Sequence, residues 1–177
     1  MTTEQILRKE IEHGSKSYVR MDYLVYGFNK KYIQADEWLY KQFCGIWTML
    51  ENTEGIKSKK RLFKALKKFL PQDIKEFLAS KADDEGYLTL YRGTGYESTN
   101  KYETDYACCY SFNAEKAEWF ANRFLCIHKI GFVFKRKVHI SQVVAYFNSR
   151  EEEEIIIIPN NGDVLKVVKT LEYKKDN

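Results

Sequence analysis

Three short stretches of this chain carry side chains that can do chemistry. The first is Leu90-Tyr91-Arg92-Gly93-Thr94-Gly95, where an arginine ends a strand-like run and glycines follow at once. A guanidinium grips phosphate through a permanently charged fork, and glycine lets a ligand approach the backbone closely. A surface arginine before an ordinary turn fits the same residues. They are not a P-loop, since no GK[ST] follows, nor a complete GxGxxG. The second is Cys108-Cys109-Tyr110-Ser111-Phe112-Asn113. Its thiols and hydroxyl can hold a sugar or brace a catalytic group. Asn113 is placed to cap a following helix, with Glu115 and Glu118 early in it. A junction chosen only for packing is the alternative. A cysteine nucleophile has little support, because neither thiol has a base readable in the sequence. The third is Arg150-Glu151-Glu152-Glu153-Glu154, running into four isoleucines and Pro159. If the strand period of two extends backward from the isoleucines, Glu152 and Glu154 share a face. Two carboxylates so placed can do acid/base work or stabilise a cation, and their mutual repulsion calls for a ligand or partner. A charged strand end is the plainer reading.

The elements that position these residues divide the chain in two. Residues 1–80 follow a helical period. In 34–50, Trp38, Leu39, Phe43, Ile46, Trp47 and Leu50 form one stripe. In 58–70, Leu62, Phe63, Leu66, Phe69 and Leu70 do the same, with lysines opposite, until Pro71 stops or restarts the helix. Ile74, Phe77 and Leu78 predict a short further helix, and 83–86 a turn. From Tyr87 the pattern is strand-like. Strands are expected at 87–92 (halted by the glycines), 107–112, 129–138, 142–147, 153–158 and 164–173. A polar loop is expected at 96–105, and a helix at 114–125 with Ala117, Phe120, Ala121 and Phe124 on its apolar stripe. Helices first and strands after predict an α+β fold, not a doubly wound sheet.

Composition bounds the function classes. With 177 residues, 44% apolar and 31% charged, the chain suits one packed domain and excludes a disordered or fibrous protein. The four isoleucines are too short to span a bilayer, and the N-terminus has no basic region followed by an apolar run. A cytoplasmic protein without membrane contact is therefore expected. The net charge of +4 permits nucleic-acid binding without requiring it. Lys57, Lys59, Lys60, Arg61, Lys64, Lys67 and Lys68 crowd one stretch, which suits phosphate or a solvated helix face. Cys44, Cys108, Cys109 and Cys126 form no CxxC pair, and adjacent Cys108 and Cys109 should point to opposite faces of a strand. His13, His128 and His139 lack metal-ligand spacing, so no metal is expected.

Each chemical motif is weak alone. In this order they resemble the ADP-ribosyltransferase family of the Arg-Ser-Glu type, in particular its small bacterial and phage members. That family has an arginine on its first core strand, a Ser-x-Ser/Thr element on a later one, and a Glu-x-Glu or Gln-x-Glu element on a still later one. Ala117-Glu118-Trp119-Phe120-Ala121 matches the tail of the second motif in those small members. Arg150, Glu152, Glu154, the isoleucines and Pro159 fit the third without a gap. The resemblance covers about residues 87–160. It implies a core of two packed β-sheets with an N-terminal helical lobe, within a single domain over 1–177: lobe 1–85, NAD-binding core 86–177.

The resemblance also implies roles. Arg92 would hold the phosphate side of NAD, and the Gly93 backbone would meet the nicotinamide amide. Glu154 would be the catalytic glutamate, and Glu152 would orient or deprotonate the acceptor. Counting from the Ala-Glu-Trp-Phe-Ala tail puts Cys109 at the first serine position and Ser111 at the second hydroxyl, a departure from the family. A slip of two residues would instead put Ser111 first and Asn113 second; Ser111 is a site residue in both registers. The implied activity is mono-ADP-ribosyl transfer from NAD to a macromolecule. Protein arginine is the favoured acceptor, and nucleic acid or water the alternatives. A toxin or phage effector is the implied setting, with a host target protein or an antitoxin as candidate partner. An inactive NAD- or nucleic-acid-binding module is the reading from another class.

Overall fold

The computed structural model describes residues 1–50, 59–96, 108–123, 125–148, 152–158 and 166–172. The chain divides into two compact units, Met1–Pro71 and Gln72–Asn177.

The first unit is helical: α1 (Thr3–His13), α2 (Ser17–Asn29), α3 (Glu37–Trp47) and α4 (Lys60–Leu66), the last continued by a 3-10 turn at Lys67–Phe69. Local chemistry sets the ends. Thr2 and Gln5 form a capping box at α1, and the Asp36 carboxylate accepts from Leu39 N at 2.7 Å to start α3. Most positions of the expected stripes form the core, while Trp38, Leu50 and Phe69 are only half-buried. Phe43, Trp47 and Phe63 meet with ring centroids 5.3–5.8 Å apart, beside buried Leu39, Ile46, Leu62 and Leu66. Each such fully buried side chain contributes about 1.5–3 kcal/mol. On α4 the exposed Arg61 and Lys64 lie opposite Leu62, Phe63 and Leu66, the solvated-face arrangement.

The second unit holds α5 (Gln72–Lys81), β1 (Tyr87–Tyr96), β2 (Cys109–Ser111), α6 (Ala114–Arg123), a helical turn at Leu125–His128, then β3 (Ile130–His139), β4 (Val143–Phe147), β5 (Glu154–Ile157) and β6 (Lys166–Glu172). The fold is α+β. Where two packed sheets are expected, the described strands form one antiparallel sheet in the order β4-β5-β2-β1-β3-β6. Its two three-stranded halves meet through a single residue pair, Tyr91 with Ser111, whereas β2 pairs with β5 along all three of its residues. Bulges interrupt β3 against β6 and β4 against β5, where strands bend.

The glycines after Arg92 do not halt β1. It runs through Gly93 and Gly95 to Tyr96, paired with β3 throughout. α6 explains why glycine is there: a Cβ on Gly93 would sit 1.6 Å from the Ala117 carbonyl oxygen, and one on Gly131 2.8 Å from that of Ala121. Ala117 and Ala121, four apart on one helix face, let the α6 backbone come down onto these glycines, and Val133, Tyr91 and Leu171 close the contact. α5 supplies a different contact: Phe77 packs on Tyr146 of β4, centroids 4.9 Å apart, and on Phe112 at 6.1 Å.

Candidate active site at the sheet junction

The three chemical stretches come together where the halves of the sheet meet. Ser111 of β2 pairs directly with Tyr91 on β1 and with Glu154 on β5. Directly opposed residues of antiparallel strands project to one face, so Tyr91, Ser111 and Glu154 form a row. Cys109, two residues along from Ser111, lies on the same face, next to Ile156.

Ser111 is a 6% exposed hydroxyl with both its capacities used. Its Oγ donates to the Glu152 carbonyl at 2.7 Å and accepts from Asn113 N at 3.0 Å. It thus ties the approach to β5 to the start of α6. Asn113 caps that helix as its type and place predict, its Oδ1 accepting from Glu115 N at 2.8 Å and Lys116 N at 3.2 Å. Ser111→Ala leaves two partly buried backbone groups without this partner. It is expected to cost about 1–3 kcal/mol in a urea unfolding measurement.

Arg92 comes from another direction. Along β1 it alternates with Tyr91, so it leaves the strand on the side of buried Leu88 and Leu90. It stands one residue past the single pair joining β1 to β2, and its Nη1 donates to the Cys109 carbonyl at 2.9 Å. The guanidinium is therefore held at the start of β2, while Ser111 and Glu154 share the opposite side of the pleat.

Glu152 does not reach its place by strand alternation. β5 begins at Glu154, and Glu153 has φ 46°, a left-handed conformation that L side chains rarely adopt. The expected backward extension of the strand fails at that residue. The Ser111 hydrogen bond to its carbonyl holds the Glu152 backbone in place. Left-handed backbone costs a non-glycine residue about 1–2 kcal/mol, and glycine returns part of that as unfolded-chain entropy. Glu153→Gly is accordingly expected to raise stability by about 0.5–1 kcal/mol, read as a shift of the urea midpoint at unchanged slope.

The paired cysteines also differ from expectation. Cys108 precedes the strand, so strict alternation does not apply, and the two Sγ atoms lie 3.8 Å apart. Contact with Cys108 and burial, with a smaller push from the Glu154 carboxylate, hold the Cys109 thiol well above its usual range against the pull of Arg92. It is a neutral thiol at neutral pH, unsuited to nucleophilic attack.

Two residues not singled out from sequence border the site. Arg136 of β3 is 5% exposed, its Nη1 donating to Tyr110 Oη at 3.1 Å, with its guanidinium 5.7 Å from the centre of that ring. Burial raises the Tyr110 hydroxyl above its usual range, against the opposing pull of Arg136 and Arg92. The signal was available: Phe132, Phe134, Arg136 and Val138 alternate, placing the arginine on a buried face.

The Ala-Glu-Trp-Phe-Ala segment has a packing role. Its alanines seat α6 on the sheet, Glu118 pairs with Lys169 of β6, and Trp119 is 53% exposed. Phe124, Arg150, Glu151 and Pro159 lie outside the described residues, as do Lys57 and the loop expected at 96–105 beyond Tyr96. Among the described residues no cluster of three or more His, Cys, Asp or Glu could hold a metal ion, and no helix is long and apolar enough to cross a membrane. No family model, curated protein or solved structure matches the chain.

Proposed function

We propose that the sheet unit is a mono-ADP-ribosyltransferase of the Arg-Ser-Glu type, using NAD as substrate. One observation carries this reading. Residues 92, 109–111 and 154, far apart in the chain, converge on three adjacent strands, with Ser111 opposite Glu154 and Arg92 bonded to the start of β2. In this proposal the two halves of the sheet, joined at one pair, correspond to the family's two packed sheets.

The reaction breaks the bond between ribose and nicotinamide. Nicotinamide leaves with the bonding electrons, and positive charge grows on the ribose as an oxocarbenium ion. The Glu154 carboxylate stabilises that charge and grips the ribose 2′-hydroxyl. Arg92 holds the pyrophosphate, and remote binding of this kind can be spent on distorting the substrate. Ser111 braces β2 against the Glu152 backbone, and Glu152 directs the acceptor nucleophile, protein arginine in the favoured case. Gly93 serves the nicotinamide end through its backbone.

A non-catalytic binding module is the second reading. Two observations favour it: a neutral thiol, Cys109, at the first serine position, and the departure of Arg92 from β1 on the other side from Ser111. Incubating the protein and a cell lysate with NAD labelled on its adenylate half separates the readings. Label in protein supports the proposal. Label in nucleic acid or free ADP-ribose keeps the bond cleavage and changes the acceptor. No nicotinamide release by the purified protein overturns the enzyme.

A further inference from the structure

We infer that the exposed face of α2, in the helical unit, binds single-stranded RNA. α2 shows Tyr18, Tyr26 and Tyr23 to solvent, 55%, 48% and 36% exposed. The helical repeat sets all three within one arc of about 140°. Tyr32, 43% exposed, follows the helix, and its ring pairs with Tyr26 at a centroid separation of 6.1 Å. The unit's core is already filled by other aromatic side chains, Phe43, Trp47 and Phe63, so these tyrosines are not spare core.

Cations surround the rings. The Lys16 ammonium lies 5.7 Å from the Tyr18 ring centre. Lys30 and Lys31, both exposed, fall between Tyr26 and Tyr32 in the chain. Arg61 of α4 is exposed and lies 5.5 Å from the ring centre of Phe28, near the end of α2. Asp22 is the one acid of α2, and it sits within the arc. The whole chain's charge follows the same division: Met1–Pro71 has 14 Lys and Arg against 8 Asp and Glu, a net +6, whereas Gln72–Asn177 has 15 against 17, a net −2.

This combination selects its partner. Planar rings offer stacking platforms to unpaired bases, while neighbouring cations meet the phosphates. A duplex keeps its bases stacked and cannot use the rings. The four exposed rings are all tyrosines, whose hydroxyls can donate to and accept from ribose 2′-hydroxyls, which DNA lacks. The inference stands apart from the NAD chemistry and needs none of the residues at the sheet junction.

The test is fluorescence anisotropy of the full chain with a labelled oligouridine about 20 nucleotides long, without NAD. Binding is expected to weaken steeply with salt. Tyr26→Ala with Tyr32→Ala should weaken it about tenfold or more. The matching Tyr→Phe pair keeps the rings; it should retain most of the affinity and lose the preference for RNA over the same DNA sequence. Lys30→Gln, Lys31→Gln and Arg61→Gln together should reduce the log–log salt slope by about 2. Glu154→Gln should bind as the parent does, which separates this inference from the proposed catalysis. Circular dichroism identifies a variant that fails to fold, and the Tyr→Phe pair then carries the test. No binding at low salt, an affinity unmoved by the Tyr26→Ala, Tyr32→Ala pair, a salt slope unmoved by the triple Lys/Arg→Gln variant, an RNA preference kept by the Tyr→Phe pair, or equal binding of duplex RNA or single-stranded DNA by the parent overturns the inference.

Discussion

Gly93→Ala is expected to destabilise the sheet unit by at least about 3 kcal/mol, roughly a fifth to three-fifths of the stability of an ordinary domain. The added Cβ would stand 1.6 Å from the Ala117 carbonyl oxygen and 2.7 Å from both Ala117 C and Ala121 N. These are helix backbone atoms, so no side-chain rotation relieves the clash. α6 would have to rise from β1 by more than an ångström, opening the contact it makes with Tyr91, Val133 and Leu171. Overpacking of this kind typically costs about 1–3 kcal/mol where neighbours can shift, and more where backbone must move. Gly131→Ala is the internal control. Its nearest atom is 2.8 Å away, so a shift of a few tenths of an ångström suffices and the cost is expected to be smaller. Urea unfolding followed by near-ultraviolet circular dichroism reads both. Equal stability of Gly93→Ala and the parent would mean that α6 does not sit on this glycine.

That glycine shows what the sequence could and could not tell. Read locally, Arg-Gly-Thr-Gly ends a strand and admits a ligand, because glycine permits both. The contact that demands glycine comes from Ala117, 24 positions later, and no local pattern contains it. Features with local causes were legible. Asn113 caps α6 because an Asx side chain reaches backbone N–H groups two and three residues on. Most of the α3 and α4 stripe positions are buried because burial follows the helical period. Pairing was less legible. That Ser111 opposes Glu154, and that Arg92 leaves β1 on the other side from both, depends on register, and a shift of one residue reverses every face. The left-handed Glu153 was hidden for a related reason: the isoleucines announce a strand, and an alternating reading carries it too far back.

Glu154→Gln is expected to lower ADP-ribosyl transfer by at least a hundredfold, about 2.7 kcal/mol of transition-state stabilisation, while NAD affinity changes little. The substitution keeps the size of the side chain and leaves the backbone pairing of Glu154 with Ser111 and Phe147 in place. It removes a negative charge that matters most when the ribose becomes cationic. In the ground state the positive charge sits on the nicotinamide ring and not on the ribose, and the Gln amide can still hold the 2′-hydroxyl, so binding changes little. Removing a grip on the ground state does the reverse: Arg92→Ala should raise KM for NAD, with a smaller effect on kcat. The carboxylate also pushes up the nearby Cys109 thiol, so its removal should let that thiol ionise at lower pH. Thiol alkylation against pH would detect this shift even in a protein without activity. Undiminished transfer by Glu154→Gln would remove Glu154 from the chemistry. A shifted alkylation profile with no nicotinamide release from the parent would leave the carboxylate beside the thiol and favour the binding module. Loss of transfer with NAD binding retained is the pattern required of a carboxylate that acts on the developing cation.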